Sequence, residues 1–504
     1  MHYVSLIVEF LRGRPAVVFW TAALAQAALW VLLPALFYGA PPGEVPDVLA
    51  IGHEFRLGSH LGPPLAFWLA ELAFKIAGAF GVYLLAQCCV VTAFWAVFTL
   101  GRSIVGIRHA VLAILLMTGI TAFSVPSPDF GASVLAMPLW ALVLLHYWRA
   151  VADDKRGYWF ILALELGLLL LTSYAGLILL GLLVLFSLLN ARARAAFKFI
   201  EPWISILLVF FVLAPHLVWL RISAGFTFTT LGGLPSGAPN VSAGVWQCVS
   251  FVVAHLGLAL LVVLASGWPR RRRERTPVIE RKTADEFGRI YVYFFALMPV
   301  AAATLVALLA GTLQPLERVA PLAVLSGLAI VIAAGDNIRL YRERFVSFAW
   351  LGLLIAPPVV VVLAIAVLPW TLAVDLKIAQ PANDMGRFFA ENFQRRIGQP
   401  LAFVAGDPRI ASLVALGAPS RPTLVFNSSP ERSPWASVQD IRDKGGILVW
   451  PTTDTAGTPP AAIKAQFPDM VPELPRVFAR RVQGLLPLIR IGWAVIRPRA
   501  NAPQ

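Results

Sequence analysis

Charge is scarce in this sequence. Only 13% of its 504 residues are Asp, Glu, Lys or Arg, 59% are hydrophobic, and the mean hydropathy is +0.76. Soluble globular chains carry about 25% charged and about 45–50% apolar residues, so this composition excludes a soluble enzyme and points to a polytopic membrane protein. Cysteine is scarcer still. Cys88, Cys89 and Cys248 all lie in apolar runs, which excludes a disulfide framework or a CxxC metal site. Ionisable groups are almost missing from the long apolar runs, Glu165 being the main exception, and it reads as a satisfied core carboxylate. An ion-coupled transporter would place charges at the bilayer midplane and often break helices in related halves, so the clean spans disfavour that class.

About 20 apolar residues cross a bilayer. Eleven such stretches are read, at 16–38, 82–100, 109–124, 131–148, 158–172, 175–190, 200–220, 244–266, 290–311, 319–335 and 346–370. A further stretch, 64–80, follows Pro63 and carries Glu71 and Lys75 four residues apart. That spacing places both charges on one helical face, which suits a helix lying in the membrane interface better than one crossing it.

Lys and Arg cross membranes poorly in short loops. With the N-terminus inside, the cytoplasmic segments hold Arg12 and Arg14, Arg102 and Arg108, Arg149 to Arg156, Arg192 to Lys198, eight basic residues between 268 and 289, and Arg339 to Arg344. The short loops on the other side hold only Arg56, Lys75, Arg221 and Arg318. The formal charge of +14 is therefore mainly topological. The run Arg270 to Arg273 reads as an anchor facing anionic lipid rather than a nucleic-acid site. The apolar part of the first span exceeds the 7–15 residues of a signal-peptide core, so it reads as an uncleaved span.

After Trp370 the composition changes. Residues 383–397 have helical periodicity behind an Asn/Asp cap, while 401–407, 423–429, 446–451 and 489–498 read as buried strands, with short helices at 408–417 and 436–444 between them. The alternation predicts a small α/β domain over 371–504, outside the membrane. It carries no Ser/His/Asp or Cys/His constellation, so it reads as binding or positioning an acceptor.

The densest polar cluster lies in the first outside loop, residues 39–63, which holds Glu44, Asp47, His53, Glu54, Arg56 and His60. Asp129 sits in the short outside turn 124–131, and Arg221 and the Glu317–Arg318 pair end other helices on that side. Carboxylates and arginines at headgroup depth suit an enzyme acting on a membrane lipid phosphate: a carboxylate takes a proton from an acceptor hydroxyl, and arginines hold a phosphate leaving group. Each acid taken singly reads more readily as solvated surface or a structural group than as a catalytic one. His53, Glu54 and His60 are possible ligands for a divalent metal, although HExxH or comparable spacing is missing.

This loop resembles the polyprenyl-phosphate-dependent C-type glycosyltransferases, in the bacterial branch with the protein O-mannosyltransferases and the lipid A aminoarabinose transferase. In that family the loop opens on an acidic pair and ends about twenty residues later in Gly-Tyr-Tyr-x-x-Pro-Pro-Leu. Placing the end on Pro63-Pro64-Leu65 puts Gly58 on the family glycine and Glu44 on the catalytic aspartate. Pro128-Asp129 matches a family Pro-Asp, 167–180 the Leu-Thr-Lys-Tyr stretch ending on Tyr174, 215–228 the Pro-x-x-x-Trp-Asn stretch, and 403–426 the appended C-terminal domain. Three departures stand out: the acidic pair is Glu44-Val45 with Asp47 next, Gly62 replaces the His or Lys before Pro-Pro, and Ser173 replaces the Lys before Tyr174.

The resemblance implies a transmembrane glycosyltransferase domain over 1–370, with an interfacial helix at 64–80, and a periplasmic domain over 371–504 in a bacterial inner membrane. The implied donor is a polyprenyl-phosphate sugar and the acceptor an envelope glycolipid, glycan or protein. Glu44 would be the base, with Asp47 the competing candidate, and Asp129 would position it or the sugar. Asp47, His53, Glu54, His60 and Tyr174 would line the site, and Arg56 and Arg318 would hold the lipid phosphate. The rival readings are a lipid or glycan transporter and a non-catalytic glycolipid-binding scaffold.

Overall fold

Apolar side chains dictate helices here, because within a bilayer every backbone N–H and C=O must be satisfied inside its own segment. The computed structural model describes residues 9, 13–222, 239–266, 278–280, 282–310, 319–339, 343–425 and 435–498. Each of the eleven expected stretches carries a helix. By length and composition six helices among the described residues suffice to cross a membrane: Pro15–Phe37, Leu65–Val105, Ala132–Val151, Glu201–Ile222, Glu286–Leu309 and Phe345–Thr371. Val241–Ala254 and Leu256–Ser266, bent by 45° at His255, make a seventh if taken as one span. Ile107–Met117, Tyr158–Leu170, Gly176–Leu189 and Pro321–Ala333 are shorter apolar helices. The Leu65–Val105 helix is broken at Ala77 and Gly78, whose backbone angles are not helical. The break falls near the boundary expected between the interfacial stretch and the span.

The chain divides into two compact units. The first comprises 1–32, 61–65 and 82–359. Its core is aromatic: Tyr147, Phe186, Tyr291 and Phe295 are buried and in mutual ring contact. Their hydroxyls are satisfied, Tyr147 by Ser187 Oγ at 2.6 Å and Tyr291 by donating to the Leu144 carbonyl at 2.6 Å. Two further polar pairs lie in this unit. His146 Nδ1 meets both oxygens of Glu165 at 2.7 and 2.8 Å, so this carboxylate is indeed satisfied, and His255 Nε2 meets Ser326 Oγ at 2.9 Å. A short antiparallel pair, β1 (Val278–Glu280) with β2 (Asn337–Arg339), also belongs to this unit.

The second unit comprises 33–60, 66–81 and 360–504. Its sheet contains β3 (Phe403–Gly406), β4 (Thr423–Val425), β5 (Gly446–Pro451), β6 (Val471–Phe478) and β7 (Ile489–Ile496), in the order β4-β3-β5-β7-β6. β3 runs parallel to β4 and β5, whereas β7 is antiparallel to β5 and β6. Phe403, Leu448, Trp450, Phe467 and Ile496 form its core, and the helix Ala382–Ile397 packs against the helix Pro408–Gly417. Strand β6 is not among the strands expected from the sequence. Its two prolines, Pro472 and Pro475, argue against a central strand, but an edge strand tolerates them because one row of its N–H groups needs no partner. The ladder accommodates them with a register shift between Glu473 and Arg476.

Candidate active site

The acids of residues 39–63 are ordered by a short helix, Val45–His53, in the second unit. Pro46 in its first turn donates no hydrogen bond and is pre-set for helix. Asp47, also in the first turn, complements the positive end of the helix dipole. Val45, Val48, Leu49 and Ile51 are buried, and the helix packs against Pro408–Gly417. Its approach to residues 66–76 is closer than a side chain allows. A Cβ on Gly52 would lie 2.3 Å from the Phe67 carbonyl oxygen, so only glycine fits.

Glu44 occupies the N-cap and is exposed, without capping the helix through its side chain. Asp47 follows three residues later, on the same side of the first turn. It is half-buried beside Ser412 and Arg409, and burial, reinforced by the charge of Glu44, pushes its carboxyl up to about 6 against the opposing pull of Ser412 and Arg409. Arg409 is itself anchored, donating from Nη1 to the Gly43 carbonyl at 3.2 Å and from Nη2 to that of Lys377 at 3.4 Å.

A second charged group lies under the other end of this helix. Glu71 is 1% exposed, and its Oε1 meets His53 Nδ1 at 3.1 Å and Lys75 Nζ at 4.0 Å. Its Oε2 accepts from Arg421 Nη2 at 2.6 Å. Arg421 also reaches the Leu49 carbonyl at 3.4 Å and lies over the Phe74 ring, 4.6 Å from its centroid. Burial pulls the Arg421 guanidinium below its usual range, and Glu71 acts in the opposite sense. The Glu71–Lys75 pair expected on one interfacial face is thus split in role: Lys75 is exposed and stacks on Phe55, whereas Glu71 is a buried junction.

Of the residues singled out in the sequence, Glu44 and Asp47 come together, and His53 reaches Glu71. Glu54 and His60 are half-buried and Arg56 is exposed, its carbonyl accepting from Trp68 Nε1 at 2.9 Å. Among the described residues no three His, Cys, Asp or Glu side chains are placed to share a metal ion. His53, Glu54 and His60 therefore do not fit as a metal triad; His53 is committed to Glu71 instead. Asp129 and Tyr174 belong to the first unit. Asp129 is half-buried two residues before the N-cap of Ala132–Val151, beside Ser127, which accepts from Gln87 Nε2 at 2.9 Å. The Tyr174 hydroxyl meets His216 Nε2 at 3.0 Å. Arg318 lies outside the described residues. Sequence reasoning missed Arg409 and Arg421. Each reaches across more than 300 residues, Arg409 to Gly43 and Arg421 to Glu71, and no local pattern distinguishes them from other arginines of the C-terminal segment.

The sequence profile of the dolichyl-phosphate-mannose-protein mannosyltransferases matches residues 62–219. The crystal structure of ArnT from Cupriavidus metallidurans bound to undecaprenyl phosphate superposes with a TM-score of 0.63 at 11% identity, over 97% of this chain and 99% of that one. This chain has the C-type glycosyltransferase fold. The family match thus covers residues 62–219, and the likeness to ArnT extends over the whole fold. The apo form of the same ArnT gives 0.59 at 12% identity with the same coverage. The oligosaccharyltransferase of Archaeoglobus fulgidus gives 0.45 at 14% identity over 87% and 69%, too low to bear on the fold. No curated protein matches the chain.

Against this C-type family the departure at Gly62 has a backbone reason. Its φ is +134°, a region that Lys and His side chains rarely adopt, so the loop takes a path there that the family's basic residue would strain.

Proposed function

We propose that this chain is an inverting glycosyltransferase of the bacterial inner membrane, acting on the outer face and taking its sugar from a polyprenyl-phosphate lipid. The reading includes eleven spans, a cytoplasmic N-terminus, a transmembrane domain over 1–370 and an outside domain over 371–504. It rests first on one observation: Glu44 and Asp47 sit together at the start of a helix that Arg409 and Arg421 of the C-terminal segment brace from behind. The family match and the ArnT fold point the same way, ArnT having been crystallised with undecaprenyl phosphate.

In this reading Glu44, exposed and ionisable, takes the proton of an acceptor hydroxyl. The freed oxygen attacks the anomeric carbon from the side opposite the phosphate, the C–O bond to the phosphate breaks, and its electron pair leaves with the polyprenyl phosphate. Configuration inverts because bond making and breaking occur on opposite faces. Asp47, with its carboxyl near 6, is mostly ionised at neutrality and closer to the working pH than an ordinary carboxylate, so it is the competing base. Arg56 and Arg318 would hold the phosphate, and Asp129 the sugar. An acceptor that is itself a phosphate is already ionised, and Glu44 then only orients it. Lipid A or lipopolysaccharide, another glycolipid, and a protein Ser/Thr all meet these requirements.

Glu44→Gln removes a general base while keeping shape, so transfer falls by about 10²–10⁴-fold with insertion and folding retained. Lipid analysis of a strain lacking the chain reads the same reaction in the cell: a polyprenyl-phosphate sugar accumulates and an envelope glycan lacks one residue. Full turnover by Glu44→Gln would remove Glu44 from the mechanism, and an unchanged lipid and glycan profile would favour the scaffold or transporter.

A further inference from the structure

Residues 480–488 form a loop of the second unit with no part in the chemistry above, yet it is built with care. Arg480 is buried and gripped on two sides: Nε and Nη2 donate to the two Asp375 oxygens at 2.8 and 2.9 Å, and Nη1 donates to the Pro487 carbonyl at 2.8 Å. Such a bidentate guanidinium–carboxylate pair fixes position and angle together. Gln483 closes the loop from within, accepting from Arg480 N–H at 3.0 Å and donating to the Leu486 carbonyl at 2.6 Å. What this frame presents outward is apolar, with Leu485 67% and Leu488 50% exposed. A braced loop that holds two leucines in the open marks a contact surface rather than slack chain.

The place of the loop says what it touches. Leu485 N–H donates to the Pro369 carbonyl at 2.9 Å, at the end of the apolar helix Glu343–Thr371. Arg481 Nη1 donates to the Leu36 carbonyl at 3.1 Å, at the end of the apolar helix Pro15–Phe37. Leu36, Phe37, Trp370 and Leu372 are themselves exposed at these helix ends. The loop thus continues the apolar surface of two helices fit to cross a membrane, at the level where Trp and Arg side chains favour the interface.

We propose that the 480–488 loop is a membrane-contact element, seating Leu485 and Leu488 in the outer-leaflet interface with Arg481 at the lipid headgroups. It would fix the height and tilt of the α/β domain over the bilayer. This inference rests on the membrane orientation in that reading but not on its chemistry.

The test uses the full chain with Cys88, Cys89 and Cys248 replaced by alanine, and a single environment-sensitive fluorophore on Leu485→Cys, Leu488→Cys or, as an exposed polar reference, Gln439→Cys. In nanodiscs containing doxyl-labelled lipids, probes at 485 and 488 emit at shorter wavelength and are quenched several-fold more than at 439, as expected for insertion by about 5–10 Å. Quenching equal to that at 439 overturns the proposal. So does an emission shift that grows with protein concentration and ignores the doxyl lipid, which would assign the leucines to a second copy of the chain. A label-free arm covers perturbation by the probe. Leu485→Ser with Leu488→Ser keeps the melting temperature of the parent in detergent and loses part of the extra stability that the parent gains in nanodiscs. An undiminished gain counts against the contact.

Discussion

The two units handle their polar groups in different ways. In the first, three side-chain pairs link separate segments: His146 with Glu165, Gln87 with Ser127, His255 with Ser326. In the second, charges converge from three distant segments on one short helix, with Glu44, Asp47 and His53 from residues 39–63, Glu71 and Lys75 from the following helix, and Arg409 and Arg421 from the C-terminal segment. A closed pair satisfies itself and leaves nothing for a ligand. A convergent cluster can keep a member exposed while others hold it in place, and among its carboxylates Glu44 is the exposed one. The contrast indicates that the first unit's paired interior is framework, while the acid–arginine assembly of the second is the part suited to chemistry.

The strongest way to break this comparison is to open the cluster at its buried junction. Glu71→Ala leaves Arg421, 18% exposed at its side chain, facing an apolar surround without its carboxylate. Removing one partner of a buried ion pair costs about 3–5 kcal/mol, because the remaining charge stays desolvated. A lower melting temperature and faster proteolysis of the 371–504 segment are expected, together with reduced transfer. Much of the stability returns in a Glu71→Gln, Arg421→Met double variant, which removes both charges. An unchanged melting temperature for Glu71→Ala would mean that the junction does not brace the loop.

The contrast between the units was only half legible in the sequence. Among the described residues hydropathy located the bilayer-length helices, because such runs have few alternatives, but not the short buried helix Val45–His53, while β3, β4, β5 and β7 were readable as short apolar runs between turn signals. Strand β6 was not, since Pro472 and Pro475 disguise an edge strand as a loop. The acid cluster of the first loop stood out by composition and by its family resemblance. Its supporting arginines did not, because Arg421 meets Glu71 across 350 residues and that pairing is a property of the tertiary structure alone. The four-residue spacing of Glu71 and Lys75 placed both charges on one face, but spacing carries no information on which of them a distant segment will cover.

A smaller effect sharpens the comparison within the cluster. The Asp47 carboxyl is raised from 3.8 to about 6, mainly by burial. A carboxyl with a higher pKa in the folded state binds its proton more tightly when folded, so the unfolded chain ionises first. The group therefore costs nothing below about 3.8, costs progressively more as pH rises through 3.8 to about 6, and a constant amount above that. Asp47→Asn removes this cost, which is of order 2–3 kcal/mol for a shift of this size. The expected signature is a variant more stable than the parent at pH 7 and equal to it near pH 3.5, read from unfolding at both pH values. Equal stabilities at pH 7 would place Asp47 in an environment more solvated than its neighbours imply.

The smallest effect is expected in the first unit, and it is the one that tests the division of labour. His146→Gln keeps an N–H donor of similar size opposite Glu165 while removing the imidazole. Hydrogen bonds between membrane helices average about 0.6 kcal/mol, because the unfolded chain in the membrane finds other partners, so a loss of about 1 kcal/mol in thermal stability is the ceiling. Transfer per folded molecule is unchanged, since His146 and Glu165 form a closed pair that leaves neither group presented to a ligand. The informative measurement is the ratio of turnover to folded protein, compared with that of Glu44→Gln under the same conditions. If His146→Gln lost turnover as steeply as Glu44→Gln with its fold intact, a proton-handling group would have to lie in the first unit. The paired interior could then no longer be read as framework alone.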